Sequence, residues 1–464
     1  MTTINVGIAG LGTVAQGVLA LINRNAGLMQ QRSGVSLRVV RIASRRARPE
    51  VDLSGARFST HLDDLLSDPD VDLILELIGG EGAALDLIRR ALAQGTPVVT
   101  ANKAVLAAHG NELLAGAGKQ LLRFEASVAG AIPIIQSISN GLAANRLHSL
   151  FGIINGTCNY IFGKMESEGT PFDQVLAQAQ ALGYAEADPG FDIDGIDAAH
   201  KLTILLALGF TGQFDLPALH VEGIQSVTLA DIEFAKELGY KIKHLGIIQN
   251  TDQGVEARVH PALVPMSALL ANVNGVMNAV QINSDGAGET LFSGPGAGGE
   301  ATASAVLSDA LALGQQLALG SVAAPDGAPS DAPATAPSAI VPMAEVESAN
   351  YLRIPTLDQP GVFSQVTAPA AIVPMAEVES ANYLRIPTLD QPGVFAQVTK
   401  ALSEFSISID AAIQHDASKS AGQADIVLLT NHIKEQVMND ALAKLQSLDI
   451  VAADIVRLRV APAV

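Results

Sequence analysis

The chain has 464 residues, 48% of them hydrophobic and 16% charged, which is too long for one core and suits about three well-packed domains. A formal net charge of -19 with no basic stripe argues against a nucleic-acid partner, and no run is long and apolar enough to span a bilayer. One cysteine, Cys158, rules out an internal disulfide and fits a reducing compartment. The apolar start from Ile4 to Ile22 lacks the basic head of a signal peptide, so a cytoplasmic location is expected.

Residues 1–130 read as an α/β domain with an open, doubly wound parallel sheet. Ile4 to Ala9 is a buried strand, and Gly10-Leu11-Gly12-Thr13-Val14-Ala15 turns it into a helix running to about Asn23. The first two glycines permit a tight turn and close backbone approach to a pyrophosphate at the helix N-terminus; Ala15 takes the third position. The second strand, Ser36 to Ala43, ends in Ser44-Arg45-Arg46-Ala47-Arg48, where an acid would select NAD. Arginines there suit a 2'-phosphate, so NADP is expected as the cofactor, with NAD accepted; a solvated turn is the alternative. Three more strands are expected, Val71 to Ile78, Pro97 to Thr100 and Leu121 to Glu125, each followed by a helix. The first is followed by Gly79-Gly80, where the chain must pass close to a nicotinamide ribose. The next leads through Thr100-Ala101-Asn102-Lys103, placing a lysine at the cofactor crevice.

Residues 131–320 read as an α+β domain whose sheet offers a surface for dimerisation. A strand at 147–154 leads into Asn155-Gly156-Thr157-Cys158-Asn159-Tyr160, which opens a helix. Cys158 reads either as a small structural residue or as the nucleophile of an acylating aldehyde dehydrogenase. Strands follow at about 242–249, 254–259 and 277–283. Ahead of these, after the 155–160 turn, lies Gly183 to Lys201, GYAEADPGFDIDGIDAAHK, which sets Glu186, Asp188, Asp192, Asp194 and Asp197 against a single distal lysine. The break at Asp188-Pro189-Gly190 puts the acids on a loop; Asp194 is the expected N-cap, and Asp197 and Lys201 share one helix face. A second glycine-rich stretch, Ser293 to Gly299, enters a helix from about Ala301 to Leu317, either closing over the cofactor through Gly298 or serving as a return crossover. The nine histidines form no transition-metal pattern, which leaves room only for a hard cation held by carbonyls and one carboxylate.

Ala/Pro-rich linker sequence begins at Ser321, and Thr335 to Val366 is repeated in tandem as Thr367 to Val398, 32 residues with two differences, Ser338/Ala370 and Ser364/Ala396. Two copies cannot stack into a solenoid. The second copy runs on into strands and helices in the order βαββαβ, making 367–464 a domain and leaving 321–366 as linker plus a first copy. That first copy is expected to be poorly ordered, to add as an edge strand, or to exchange with the second.

In combination, GLGTVA, ELIGG, TANKA, FEASVAGAIPII, GIINGTCNYI, GYAEADPGFDIDGIDAAHK and GPGAGGEATASAV resemble the homoserine dehydrogenases that carry a C-terminal ACT domain, over residues 4–460. The resemblance implies interconversion of L-homoserine and L-aspartate 4-semialdehyde in threonine, methionine and isoleucine biosynthesis. It implies that Lys103 and Lys201 handle the proton, that Asp197 orients Lys201 and the substrate hydroxyl, and that Glu186 holds the substrate ammonium, with Asp192, Gly156 and Thr157 beside it. Sodium would be held by Glu125 and the carbonyls of Val128, Gly130 and Ile132. The ACT turn, with Asp390, Gln391 and Gly393, would take an amino-acid effector, L-threonine, and the assembly would be a homodimer or homotetramer. A lysine made less basic by burial and a second lysine suits the proton acceptor of an alcohol oxidation. A reading from another class is a non-catalytic amino-acid sensor.

Overall fold

Short buried apolar runs separated by glycine-bearing turns set the first sheet. The structure, a computed structural model, describes residues 2–116, 118–320, 372–389, 391–414 and 423–462. Strands β1 (Thr2–Ala9), β2 (Val35–Ala43), β3 (Arg57–Ser59), β4 (Leu73–Glu76), β5 (Val98–Thr100) and β6 (Leu122–Arg123) are parallel, in the order β3-β2-β1-β4-β5-β6. The order reverses at β1 and β4, and ligands of such sheets bind at the carboxyl ends beside that switch. The Thr13–Ser33 helix buries Val18 and Ile22 in one apolar cluster with Val306, Ala310 and Leu313 of the late Gly299–Ala318 helix, so the chain returns to the first sheet after building the second. The expected strand from Leu121 to Glu125 is only two residues long, and a 3-10 turn at Glu125–Ser127 replaces the helix after it. The reason is local: Glu125 accepts the N–H groups of Ile135 and Gln136, both at 2.8 Å, and folds the chain back on itself.

The second sheet begins with β7 (Leu147–Ile153), β8 (His220–Val221), β9 (Tyr240–Thr251), β10 (Gly254–Pro265), β11 (Met277–Ser284) and β12 (Gly288–Pro295). After the linker it continues with β13 (Ile372–Val373), β15 (Asn382–Leu389), β16 (Ile409–Gln414), β17 (Gln423–Thr430) and β19 (Val456–Val460), while β14 (Glu379–Ser380) and β18 (Ile433–Lys434) pair with each other as a separate two-stranded sheet. With helices Val394–Ser403 and Glu435–Gln446, strands β15, β16, β17 and β19 follow the order βαββαβ. The sequence pattern sets this module apart from the middle domain, whereas in the structure the two share one sheet, β12-β11-β7-β9-β10-β19-β15-β17-β16. The seam is parallel pairing of Ala262 with Arg459 and Leu263 with Val460. The second repeat copy supplies β15 and the first half of the Val394–Ser403 helix, up to Val398. The linker, the first copy and Asp390 lie outside the described residues.

Candidate active site

The Ile196–Leu206 helix carries Asp197 in its first turn and Lys201 one turn on. Its N-cap is Gly195, not Asp194: the cap residue has φ of +85°, a left-handed conformation glycine adopts without steric cost. Asp194 instead ends a short helical turn, Gly190–Ile193, and accepts a hydrogen bond from Gln225. That turn, starting directly after Pro189, also corrects the expectation that all the acids lie on a loop, since Asp192 is within it.

Asp197 is buried and meets both lysines. Its Oδ2 lies 2.7 Å from Lys201 Nζ and its Oδ1 3.3 Å from Lys103 Nζ. Lys201 also donates to the Ile154 carbonyl at 2.7 Å, which leaves the ammonium fixed at the end of β7. Burial alone would push the Asp197 carboxyl up; the charges of Lys201 and Lys103, with hydrogen bonds from Lys201 and Asn155, more than offset it and hold it below the usual carboxylate range. Lys103 opens the Lys103–Leu113 helix after β5. Its cap, Asn102, accepts from Val105 N–H and donates to the Gly80 carbonyl at 2.7 Å, tying the ends of β4 and β5 together. The Lys103 ammonium stands 5.4 Å from the Phe191 ring centre, a distance at which a cation and a ring face attract.

Asn155 joins this cluster although sequence reading gave it no role. It caps the Gly156–Glu168 helix by accepting from Cys158 N–H, while its amide donates to Asp197 at 2.9 Å and Asp192 at 2.8 Å. An asparagine at a strand end that opens a helix was the available signal. The Thr157 hydroxyl shares its one proton between the Tyr184 carbonyl at 2.7 Å and Asp192 at 3.2 Å. Burial, with Asp197 nearby, raises the Asp192 carboxyl despite the bonds from Asn155 and Thr157. Gly156 packs so closely on the Val276 carbonyl that a Cβ would lie 2.7 Å from it. Glu186 is exposed, and its side chain makes no bond to the cluster in this structure. Cys158 is fully buried, its thiol pushed well up by burial and by Asp192 and Asp197, which suits packing and not nucleophilic attack.

The residues expected to meet a cofactor lie around the switch point of the first sheet. Gly10 has φ of +103°, and a Cβ there would strike the Leu77 carbonyl at 2.7 Å. Beyond it, Gly12, Gly79 and Gly80 border open space, since a Cβ on any of them meets nothing within 4 Å. Leu11 is buried, whereas Thr13 and Val14 start a helix with no acid in its first turn and no side-chain cap, so its amides suit a pyrophosphate. Gly299 lies beside Thr13, which brings Gly298 to the border of the same crevice. Thr100, buried, donates to Glu76 and receives the Asn102 N–H at 3.0 Å. Arg45 and Arg46 are exposed where β2 ends. These features fit a nicotinamide dinucleotide. For a hard cation the oxygen-only donor set is suitable, but Glu125 already accepts two amides and the Ile132 carbonyl accepts the Ile134 N–H at 2.8 Å. A bound ion would therefore share those oxygens with the backbone.

Family models agree with this architecture. Residues 10–125 match the homoserine dehydrogenase NAD-binding domain, 133–311 the homoserine dehydrogenase family and 383–448 the ACT domain. The chain is 43% identical over 462 residues to a homoserine dehydrogenase of Pseudomonas aeruginosa and 41% identical over 465 residues to one of Neisseria gonorrhoeae, covering 99% of each chain in both cases. A crystal structure of a homoserine dehydrogenase from Thiobacillus denitrificans superposes with a TM-score of 0.82 at 42% identity, covering 99% of both chains. A hyperthermophilic archaeal homoserine dehydrogenase in complex with NADPH superposes with a TM-score of 0.57 at 26% identity, over 69% of this chain and 98% of that one.

Proposed function

This chain belongs to the homoserine dehydrogenase family and is an NAD(P)-dependent oxidoreductase, and from that premise we propose how its own residues carry the reaction between L-homoserine and L-aspartate 4-semialdehyde. The observation that carries the reading is the single carboxylate of Asp197 held between Lys201 and Lys103. The nicotinamide supplies the hydride acceptor in the oxidation and the hydride donor in the reduction. Removing hydride from an alcohol leaves a hydroxyl proton, and Lys201, fixed by Asp197 and the Ile154 carbonyl, takes it when its amine is neutral. In reduction the Lys201 ammonium returns that proton to the developing alkoxide. Lys103, on the cofactor side of Asp197, is the second lysine through which that same single proton passes, and Asp197 orients both lysines and the substrate hydroxyl. Glu186 swings in from its exposed position to meet the substrate ammonium, with Asp192, Thr157 and Gly156 forming the wall beside it. Positioning carries most of the rate enhancement, because no covalent intermediate is needed.

The preferred cofactor is NADP, with the 2'-phosphate met by Arg45 and Arg46; NAD, lacking it, is accepted less well. A monovalent cation, sodium by its oxygen donors, braces the turn formed by Glu125, Val128, Gly130 and Ile132. L-Threonine is the effector of the ACT module, bound at the turn of Gln391 and Gly393 that opens the Val394–Ser403 helix. The enzyme acts in the cytoplasm as a homodimer or homotetramer. The initial rate of NADP reduction with L-homoserine, titrated with L-threonine, tests this: turnover suppressed by threonine supports both assignments, and turnover blind to threonine removes the effector. A folded sample inert with NADP and NAD overturns the proposed roles.

A further inference from the structure

Arg459, on the last strand of the C-terminal module, is almost fully buried between two carboxylates. One belongs to the module itself: Glu435 Oε1 lies 2.6 Å from Nη2. The other crosses to the middle domain, where Glu222 takes both terminal nitrogens, Nη1 to Oε2 and Nη2 to Oε1, each at 2.8 Å. A bidentate pair of this kind fixes orientation as well as charge. His220 adds a third contact to Glu222 at 2.8 Å.

The main chain at Glu222 leads to the reacting cluster. Its N–H donates to the Val259 carbonyl at 2.8 Å, and its carbonyl faces Nε2 of buried His244 at 3.0 Å. Two residues on, Ile224 N–H donates to the Ile193 carbonyl at 2.8 Å. A Cβ on Gly223 would lie 2.5 Å from that same carbonyl, and a Cβ on Gly195 would lie 3.1 Å from the Glu222 carbonyl and 3.3 Å from His244 Cε1. Residues 222–224 are thus the bed on which the turn from Ile193 to Gly195 rests, and Gly195 starts the helix whose second residue is Asp197. Packing this close transmits displacement because interiors leave no slack.

We propose that Glu222 is a positioning residue: clamped by Arg459, it sets the turn at Gly195 and so the placement of Asp197 between Lys201 and Lys103. Arg459 is the charged contact of the C-terminal module with that path, beside the apolar packing of Tyr383, Val427 and Leu458 in the cluster that holds Ile193 and Ile224. Glu435 shares the arginine but has no part in the bed under Gly195, so the two carboxylates separate positioning from stability.

The inference rests on Asp197 and Lys201 being the reacting centre, and the experiment keeps the two apart. Full-length Glu222→Gln, Glu435→Gln and Lys201→Ala are compared for kcat, KM for L-homoserine and for NADP, and melting temperature. Glu222→Gln lowers kcat about tenfold or more, the size expected from a small misplacement, with KM for NADP within about twofold. Glu435→Gln lowers the melting temperature and leaves kcat within about twofold. Arg459→Lys, which keeps the charge and loses the two-pronged geometry, gives an intermediate loss of kcat and serves in place of Glu222→Gln should that variant not fold. Equal kcat for Glu222→Gln and Glu435→Gln, or an Arg459→Lys enzyme at the unaltered rate, overturns the positioning role. Full activity of Lys201→Ala overturns the assignment of the centre instead.

Discussion

Lys103 and Asp197 belong to helices of different domains and meet at 3.3 Å. Lys103 begins the helix after a strand of the nucleotide domain, and Asp197 sits in the first turn of a helix under the second sheet. The pair brings the two halves of the proposed chemistry, cofactor crevice and substrate wall, to one carboxylate.

Replacing Asp197 with Asn leaves two ammonium groups without their shared counter-charge. A cost of about 3 kcal/mol in stability at neutral pH is expected, the usual size for breaking a buried pair, together with a collapse in kcat. Since folding lowers the Asp197 pKa, its contribution is complete above the ordinary carboxylate value and is lost as pH falls through the lowered one. Urea melts of both proteins near neutrality and in acid check this: the gap between them narrows in acid.

For Arg45 and Arg46, removal of both side chains raises KM for NADP by about ten- to a hundredfold, the loss of one charged hydrogen bond or more, and leaves KM for NAD within about twofold. Initial rates with each cofactor check it. A parallel loss with both would assign the arginines to the fold.

Glu76 is fully buried, bonded by the Thr100 hydroxyl and the Ile78 N–H, and burial outweighs those bonds to push its carboxyl up to about 7. A raised pKa means stability that is whole below the unfolded value and drains away as pH climbs through the folded one. Glu125, also at about 7, and Asp309, at about 6, act in the same sense. Buried His200, His244 and His260, whose pKa values are lowered by burial, act in the opposite sense as pH rises towards the ordinary histidine value, so the test is a difference. Between about pH 5.5 and about pH 8 the cofactor-free Glu76→Gln enzyme should lose less stability than the unaltered one. Differential scanning fluorimetry across this range reads it directly.

Cys158→Ala should retain turnover within about twofold and cost about 1 kcal/mol in stability, as for the loss of one buried atom. Abolished turnover in a folded variant would bring back the acyl-enzyme reading that the buried thiol argues against.

Much of the site could be read from local pattern. Gly10 and Gly12 after an apolar strand announce a phosphate turn, and Asp197 and Lys201, four apart, are bound to share a helix face. What local pattern could not supply is pairing at a distance. Asn155 reaches Asp192 and Asp197 only once β7 is packed, and Arg459 finds Glu222 only because β19 joins β10, a register decided by two distant strands. The cap at Gly195 differs from expectation for a related reason: Asp194 has the better capping side chain, but the backbone at Gly195 is left-handed and a Cβ there would sit tight against the distant Glu222 carbonyl, at 3.1 Å, which favours glycine.

The most direct test is the turnover of Lys201→Ala with L-homoserine and NADP, measured beside its NADPH affinity by fluorescence titration. The expected result is a loss of kcat of about a thousandfold, within the span of a general acid–base group, with NADPH affinity unchanged within about twofold. Turnover near that of the unaltered enzyme, or a loss traced to failed NADPH binding, would contradict the role given to Lys201.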